Sequence, residues 1–462
     1  MRSWETETDK IISYPWPDGM VKYTGVSMKA GGKDIDLYSV RVNSMRSWTR
    51  DAQKLCDQVP VGMFDMAGTV KIEITLPCAP SNVIVRPLSS GIDPEVDGNK
   101  ITFSISRPSQ YSVEYSDNPK DAVLIFANPV EEFATDTVLE AGIYNQDYTV
   151  GTGKTLYLKP GAVIRGNVFM NSNSKLVGRG IIDGSFFEDW VNNRRPILPI
   201  ETFNASNIEI NGITIFDPNA WNIELRNTSN VTIANVKIVA SRCNSDGISI
   251  QSSDNITIKD SFIRTWDDSV VIKNYTDRES YAITVKNCRI WTDLAQCLEI
   301  GFETNRGKKP CPKIRDVTFE DIEIFHALHK APISIHNGDN AEIYNVTYKN
   351  ITIEDYQAGL GDGWNYLIDI TNLTGEASGG HARWTKVAER GSIHDVMIDN
   401  VKILSGRNPG ARFESWEGGS IYNVTVKNIY HATAELDFSE FADGKNVSVN
   451  FSRHAAIKAA QV

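Results

Sequence analysis

The sequence has little positive charge and no long apolar run. Lysine and arginine number 47 against 58 aspartates and glutamates, so the formal net charge is −11. A surface of this sign disfavours binding to nucleic acid or to an anionic membrane. No stretch reaches the length of a membrane-spanning helix, and the N-terminus lacks the apolar segment of a secretion signal. We therefore predict a cytoplasmic protein as the chain stands, or a secreted one if a leader was removed.

Cysteine and histidine are also scarce. The six cysteines show no CxxC pair and no metal-ligand spacing, and the seven histidines are dispersed. No acidic segment has the spacing of a calcium-binding EF-hand loop. These absences predict neither a metal nor a cofactor. The thiols are expected to be free and mostly buried, with a few disulfides as the alternative, and the sequence does not indicate the oligomeric state.

Residues 1–150 carry short segments in which apolar and polar residues alternate, separated by Gly, Pro, Asn and Asp. The clearest are 71–76 (KIEITL), 82–85 (NVIV), 100–105 (KITFSI) and 122–126 (AVLIF). Short strands at regular spacing, with turn signals between them, are typical of an all-β sandwich. We predict an N-terminal β-sandwich domain over 1–150 and a second domain over 151–462.

A loosely repeated phrase runs through the second domain. Its copies are 207–215 (NIEINGITI), 230–238 (NVTIANVKI), 255–263 (NITIKDSFI), 316–324 (DVTFEDIEI), 345–353 (NVTYKNITI) and 423–430 (NVTVKNIY). Most copies are separated by roughly one solenoid coil of twenty to thirty residues. β-Branched residues would point inward, and Asn accommodates tight bends. The repeat predicts an all-β fold with a right-handed parallel β-helix, in which most Asn-x-Ser/Thr sequences are structural turns.

A second set of strands lies between these phrases. Their sequences are 221–226 (WNIELR), 246–251 (DGISIQ), 268–273 (DSVVIK), 296–301 (QCLEIG) and 331–336 (APISIH). The third and fifth positions of all five are Ile, Leu or Val, and strand alternation sends both columns into the core. The intervening columns then face outward together on one sheet.

Three aspartates stand at the entrance of these outward columns. Asp246 begins one strand, and the pair Asp267 and Asp268 stands one coil further on. Carboxylates this close repel one another, so at least one of them is expected to have a raised pKa. A protonated acid beside an ionised base is what cleavage of a glycosidic bond requires. The alternative for each aspartate alone is an ordinary turn residue, and the convergence of three favours a catalytic role.

These motifs resemble a known clan of enzymes. The segments 244–247 (NSDG) and 266–270 (WDDSV) are similar to the Asn-Thr-Asp and Asp-Asp motifs of the polygalacturonase clan, glycoside hydrolase families 28 and 49. The all-β N-terminal part, with 267–273 (DDSVVIK) and 297–304 (CLEIGFET), resembles family 49 dextranases and isopullulanases most in layout. The resemblance implies that Asp267 is the general acid. It also implies that Asp246 and Asp268 hold and deprotonate the attacking water, with inversion at the anomeric carbon.

The sequence departs from polygalacturonases at two places. Their Gly-His-Gly motif is replaced by 296–299 (QCLE), and their Arg-x-Lys by 332–336 (PISIH). Without Arg-x-Lys, bidentate recognition of a sugar carboxylate has no obvious agent. This favours a neutral, glucan-type glycan over a uronic-acid glycan, although Arg226, Lys273, Arg306 or Arg412 would be an alternative clamp.

Further residues are candidates for contact with a carbohydrate substrate. Aromatic rings stack on sugar faces and polar side chains bind hydroxyls. The predicted substrate-binding residues are Trp266, Lys273, Glu299, Glu303, His336, Arg226, Trp291 and Arg412.

Three other functions stay open on the sequence alone. A polygalacturonase-like hydrolase would cleave a uronic-acid glycan with the same aspartates. A β-helix polysaccharide lyase would use a base such as Lys273 to abstract a proton next to a uronate carboxyl. A non-catalytic glycan-binding solenoid would bind the carbohydrate without turning it over.

Overall fold

A computed structural model describes residues 10–43, 56–131, 133, 135, 137–188, 196–304, 310–361, 363–372, 390–416, 418–438 and 447–452. The N-terminal strands are β1 (Lys10–Ser13), β2 (Ser27–Ala30), β3 (Lys33–Ile35), β4 (Leu37–Val42), β5 (Asp57–Ala67), β6 (Val70–Thr75), β7 (Ile84–Arg86), β8 (Glu95–Asp97), β9 (Lys100–Ile105), β10 (Ser109–Glu114) and β11 (Ala122–Pro129). One turn of 3-10 helix, Leu88–Ser90, lies between β7 and β8.

Strands β12 to β26 follow in the chain. They are β12 (Thr137–Leu139), β13 (Gly142–Tyr144), β14 (Tyr148–Val150), β15 (Thr155–Leu158), β16 (Ala162–Ile164), β17 (Val168–Met170), β18 (Lys175–Gly178), β19 (Ile181–Asp183), β20 (Ile200–Phe203), β21 (Ser206–Asn211), β22 (Thr214–Phe216), β23 (Ile223–Arg226), β24 (Ser229–Ala234), β25 (Lys237–Val239) and β26 (Ile248–Gln251).

The remaining strands complete the chain. They are β27 (Asp254–Lys259), β28 (Phe262–Thr265), β29 (Val270–Lys273), β30 (Ser280–Lys286), β31 (Arg289–Thr292), β32 (Leu298–Phe302), β33 (Ile314–Ala327), β34 (Ile333–Asn337), β35 (Glu342–Tyr356), β36 (Tyr366–Asn372), β37 (Ser392–Ile403), β38 (Gly410–Ser415), β39 (Ser420–His431), β40 (Ala434–Glu435) and β41 (Val447–Ser452).

The first eleven strands form two facing sheets. One has the order β1-β5-β11-β10-β7, with β4 also paired to β5, and the other has the order β3-β2-β6-β9-β8. Alternating residues such as Ile72 and Ile74 of β6 pack against Phe64 of β5 and Ile125 of β11 in a shared apolar core. Two sheets around one core are a β-sandwich.

The later strands form a parallel β-helix. One sheet of twenty strands runs from β12 to β41, and a second sheet of ten has the order β14-β17-β20-β23-β26-β29-β32-β34-β36-β38. Their inward Ile, Leu and Val residues form one continuous core along the coils. Each fully buried Leu or Ile contributes roughly 1.5–3 kcal/mol. The prediction of an all-β chain with a parallel β-helix preceded by a β-sandwich is confirmed. Three strands N-terminal to the predicted boundary, β12 to β14, already pair with strands of the β-helix.

Asparagine side chains turn the corners between the strands. Asn207 and Asn230 have φ values of 60° and 58°, in the left-handed region that Asn tolerates better than most residues. Their amides also form a ladder between coils: Asn207 Nδ2 donates to Asn173 Oδ1 at 2.7 Å, and Asn230 Nδ2 donates to Asn207 Oδ1 at 3.0 Å. Asn230 begins an Asn-x-Thr sequence, and its amide explains why an asparagine recurs with the coil: the amide is needed at the bend.

The sandwich covers one outer face of the β-helix. Phe126 of β11 packs against Phe262 of β28 with 5.3 Å between ring centroids, within a buried cluster that also contains Tyr38 and Phe216. This contact involves the twenty-stranded sheet. The predicted aspartates precede β26 and β29, which belong to the ten-stranded sheet.

None of the six cysteines, all of which lie among the described residues, forms a disulfide bond. No helix within the described ranges is long and apolar enough to cross a membrane.

Candidate active site

The ten-stranded sheet brings the predicted outward columns into register. Glu224 pairs with Ser249, Ser249 with Val271, Val271 with Glu299, and Glu299 with Ser334. The inward columns are fully buried in the β-helix core. The alignment of coils derived from the sequence is confirmed strand by strand, and adjacent coils are about 4.8 Å apart.

Asp246 lies two residues before β26 and is almost fully buried. Two N–H groups of Asn222 in the preceding coil, one backbone and one side-chain, each donate to the Asp246 backbone oxygen at 2.9 Å. The Asp246 carboxylate accepts from Lys273 Nζ at 3.2 Å and from Ser249 Oγ at 3.3 Å. The turn is thus fixed through its backbone, which leaves the side chain to interact with a cation.

Asp267 and Asp268 occupy the turn between β28 and β29. Asp267 Oδ2 accepts from the backbone N–H of Asn244 at 3.0 Å, and Oδ1 accepts from the N–H of Asp268 at 2.9 Å. Asp268 Oδ1 accepts from the N–H of Gln296 at 3.1 Å. Each carboxylate is therefore held by the backbone of a neighbouring coil, and that of Asp267 also by its own turn.

Burial and mutual repulsion change the proton affinity of this pair. Burial and the charge of Asp246 raise the pKa of Asp267 to about 7. Burial, Asp267 and Asp246 raise the pKa of Asp268 well above its ordinary value. Both shifts have the direction that the sequence predicts. The three carboxylates hold at least one proton near neutral pH, which is the state that an acid and base pair needs.

A chain of alternating charges extends from Glu299 across the next three strands. His336 Nδ1 lies 2.8 Å from Glu299 Oε1, and His336 Nε2 lies 3.1 Å from Asp369 Oδ2. Burial opposes a charge on His336, but Glu299 and Asp369 raise its pKa to about 9. Arg412 binds the same Asp369 through two bonds of 2.7 and 2.8 Å, and its guanidinium lies 4.6 Å from the ring of Trp364.

Two more predicted residues lie on this outer face. Arg226 pairs with Glu201 at 3.1 Å and with Glu224 at 3.2 Å. Glu303 lies 3.5 Å from the Lys273 ammonium. It stays a prediction that Arg226, Lys273, Glu303 and the row of charges from Glu299 to Arg412 contact a sugar. Arg306 lies outside the described residues.

The predictions for the two tryptophans are wrong. Trp266 is fully buried against Cys243 and Leu294, so it offers no face to a sugar ring. Trp291 belongs to β31 of the twenty-stranded sheet and is buried under the sandwich. Its indole Nε1 donates to Asp293 at 3.0 Å, and Arg264 lies over its ring at 3.7 Å. Both rings are packing residues.

Sequence reasoning missed Asp369, which links His336 to Arg412. A signal was present, because 366–371 (YLIDIT) has the same alternation as the five aligned strands and pairs Asp369 with Ser334. Within the described parts of the chain, no group of three or more His, Cys, Asp or Glu side chains is arranged to hold a metal ion.

The model of Glycosyl hydrolases family 28 matches residues 161–412, which is more than half of the chain and includes all three aspartates. The chain belongs to this family. This confirms the predicted resemblance to the polygalacturonase clan. The match begins within the β-helix and does not include the N-terminal sandwich.

Curated relatives of this family 28 protein are named as polygalacturonases. A probable polygalacturonase of Vitis vinifera is 22% identical over 339 residues, covering 71% of this chain and 65% of the relative. Endopolygalacturonase D of Aspergillus niger is 24% identical, covering 69% of this chain and 65% of the relative. The chain thus spans slightly less than two thirds of the length of these relatives.

A solved structure shares the complete architecture. Dex49A from Penicillium minioluteum aligns over 96% of both chains with a TM-score of 0.65 and 14% identity. At this identity the likeness concerns the fold alone, and it extends over the sandwich as well as the β-helix.

Proposed function

We propose that this protein is an inverting glycoside hydrolase that cleaves a neutral, glucan-type poly- or oligosaccharide. The carrying observation is the raised pKa of Asp267 in a group of three buried aspartates, one of which, Asp246, is paired with Lys273. The group thus places a carboxyl with a raised pKa beside a carboxylate in contact with an ammonium. Membership of family 28 supports the reaction class.

In this mechanism Asp267 protonates the oxygen of the leaving sugar as the glycosidic bond breaks. Asp246 and Asp268 hold a water molecule on the opposite side of the anomeric carbon, and the ionised Asp246 takes its proton. The water oxygen forms the new bond to that carbon, which inverts its configuration. One proton leaves Asp267 and one arrives on Asp246, so the charges balance before the site resets.

The neutral substrate is supported by the pairing of cations on the outer face. Arg412 is held by Asp369, Lys273 by Asp246 and Glu303, and Arg226 by two glutamates. A uronate would have to compete with these carboxylates for each cation, and charged groups that are already paired gain little from a second anion.

A hydrolase of polygalacturonate is the second candidate, since the curated relatives named above are polygalacturonases. A lyase is disfavoured by the state of its proposed base. Burial opposes a charge on Lys273, yet Glu303 and Asp246 raise its pKa well above the ordinary value. A lysine that keeps its proton cannot abstract one from a substrate.

Reducing-sugar release from dextran, pullulan, arabinan, galactan and polygalacturonate tests these candidates. We expect release from at least one neutral glycan, and Asp267→Asn should lower it by about 100- to 10,000-fold because the general acid is lost. Asp321→Asn is the matched control: Asp321 is an exposed bend residue at φ 55°, a conformation Asn also adopts.

Other outcomes of this assay would contradict the proposal. Release from polygalacturonate alone would replace the neutral substrate with a uronic-acid glycan. Products that absorb in the ultraviolet would indicate a lyase, and binding without any release would indicate a carbohydrate-binding solenoid. The anomeric configuration of the first product, read by proton NMR, checks inversion.

A further inference from the structure

Lys273 is the last residue of β29 and pairs in the sheet with Gln251 of the preceding coil. Its side chain is 9% exposed, and its ammonium lies 3.2 Å from Asp246 Oδ2 and 3.5 Å from Glu303 Oε2. The ammonium therefore bridges the carboxylate of Asp246 in the preceding coil and the carboxylate of Glu303 in the next coil. A cation so enclosed by protein carboxylates has little surface with which to bind a sugar.

The contacts of the three aspartates are not equivalent. Asp267 and Asp268 accept hydrogen bonds from backbone N–H groups, which are dipoles without net charge. Asp246 accepts from a full positive charge and from the Ser249 hydroxyl. A contact ion pair in a buried site stabilises the ionised carboxylate far more than a dipole does. The negative charge of Asp246 is thus held by direct contact with an ammonium.

We propose that Lys273 is a positioning residue: its ion pair keeps Asp246 ionised as the base that takes the proton from water, and Glu303 competes with Asp246 for the ammonium. The inference rests on the proposed function. It gives Lys273 a role through Asp246 and not through the substrate.

The remaining charged groups near Lys273 are consistent with this role. Asp267 and Asp268 interact with its charge from the turn before its strand, Tyr275 from the loop after it, and Glu224 from two coils away. Lys330 is a further cation that opposes the rise in the pKa of Asp267. Removing the Lys273 ammonium would leave the carboxyl groups with less positive charge nearby.

The test compares Lys273→Met, Lys273→Arg and Glu303→Gln with the wild type in the pH dependence of kcat/KM on a neutral glycan. The acidic limb of this profile reports the ionisation of the base in the free enzyme. With Met, we expect this limb to move up by about one pH unit or more. We also expect kcat to fall about tenfold or more, with KM little changed.

The other two variants should shift the acidic limb in directions that a purely structural role of Lys273 would not produce. Arg keeps the charge and should return the limb toward its wild-type position. Gln at 303 removes a competing carboxylate, so the limb should move to lower pH. Circular dichroism of each variant checks that the β-helix is intact.

Three results would overturn the inference. A Met variant whose acidic limb stays in place while KM rises would make Lys273 a substrate-binding residue. A wild-type protein that hydrolyses none of the glycans would remove the proposed function, and the inference with it. Wild-type hydrolysis with an unmoved limb in all three variants would overturn the inference alone.

Discussion

Asp267 and Asp268 are consecutive residues of one turn, and their carboxylates accept hydrogen bonds from backbone N–H groups of the neighbouring coils. These hydrogen bonds stabilise the ionised forms, but burial and repulsion outweigh them, since the pKa values of both side chains are raised. At this scale the decisive quantity is where the proton resides. The residue pattern indicated that at least one of the three carboxyls would keep it, and the family resemblance implied that Asp267 does.

The pH profile of the wild type tests this directly. A general acid works only while protonated, and the pKa of Asp267 is raised to about 7 by burial and by the charge of Asp246. We therefore expect kcat/KM on the hydrolysed glycan to fall as pH rises through about 7. An ordinary exposed aspartate would already have lost its proton at about pH 4.

Asp321→Asn should show the same basic limb as the wild type, because Asp321 lies at an exposed bend of the other sheet. A wild-type basic limb below pH 5 would mean that Asp267 is not the proton donor.

At the scale of strands, a row of alternating charges on β32, β34, β36 and β38 distinguishes this sheet from a sheet that would bind uronates. Successive strands carry Glu299, His336, Asp369 and Arg412, each beside a residue of opposite charge. The two cations are neutralised within the protein. An acidic residue on one strand therefore determines whether the cation on the next strand is available to bind an anion.

Replacing Asp369 with Asn tests that dependence. Arg412 would lose both of its short bonds to a carboxylate, and its guanidinium is 17% exposed. We expect galacturonate oligomers to bind about tenfold more tightly, since a hydrogen bond to a charged group contributes about 1.5–3 kcal/mol. Isothermal titration calorimetry measures the change.

Asp369→Asn combined with Arg412→Gln is the control, and the gain should disappear in this double variant. A gain that persists there would assign the new affinity to another cation, and no gain in the single variant would contradict the blocking role of Asp369.

The register of this sheet could be predicted because inward and outward side chains alternate with a period of two residues along each strand. Successive parallel coils repeat this alternation. Ile248, Val270 and Leu298 therefore marked their strands without any knowledge of the fold. The strand containing Asp369, 366–371 (YLIDIT), has the same alternation and was available to the same alignment.

The tryptophans were mispredicted for a physical reason. Alternation shows that a side chain leaves the core, but it does not show what covers it outside. Trp291 points away from the β-helix core and is covered by the sandwich, which lies more than 160 residues earlier in the chain. Contacts between distant segments leave no local signal in one sequence.

At the scale of the molecule, the junction between the sandwich and the β-helix contains buried charges. Arg86 binds Glu114 at 2.7 Å and Glu354 at 2.8 Å, and His326 lies 2.8 Å from both Glu114 and Asp355. Glu114 belongs to the sandwich and is enclosed between two cations. Burial alone would raise its pKa, but His326 and Arg86 lower the pKa to about 2.

Replacing Glu114 with Gln should weaken this junction. It leaves Arg86 and His326 without their shared carboxylate, and removing one partner of a buried ion pair costs about 3–5 kcal/mol. Chemical denaturation at pH 6 should show that loss in the free energy of unfolding. Glu95→Gln on the exposed strand β8 is the control and should unfold like the wild type.

The pH dependence of the same measurement has a defined sign. Burial opposes the charge on His326, but Glu114 and Asp355 raise its pKa above the ordinary value. The ion pair therefore stabilises the fold fully below about pH 6.5, the ordinary histidine value, and this stabilisation is lost as pH rises through the raised pKa. Wild-type stability should fall as pH rises above about 6.5, and Glu114→Gln should show a smaller fall. Equal pH dependence in the two proteins would mean that His326 does not carry its charge at the junction.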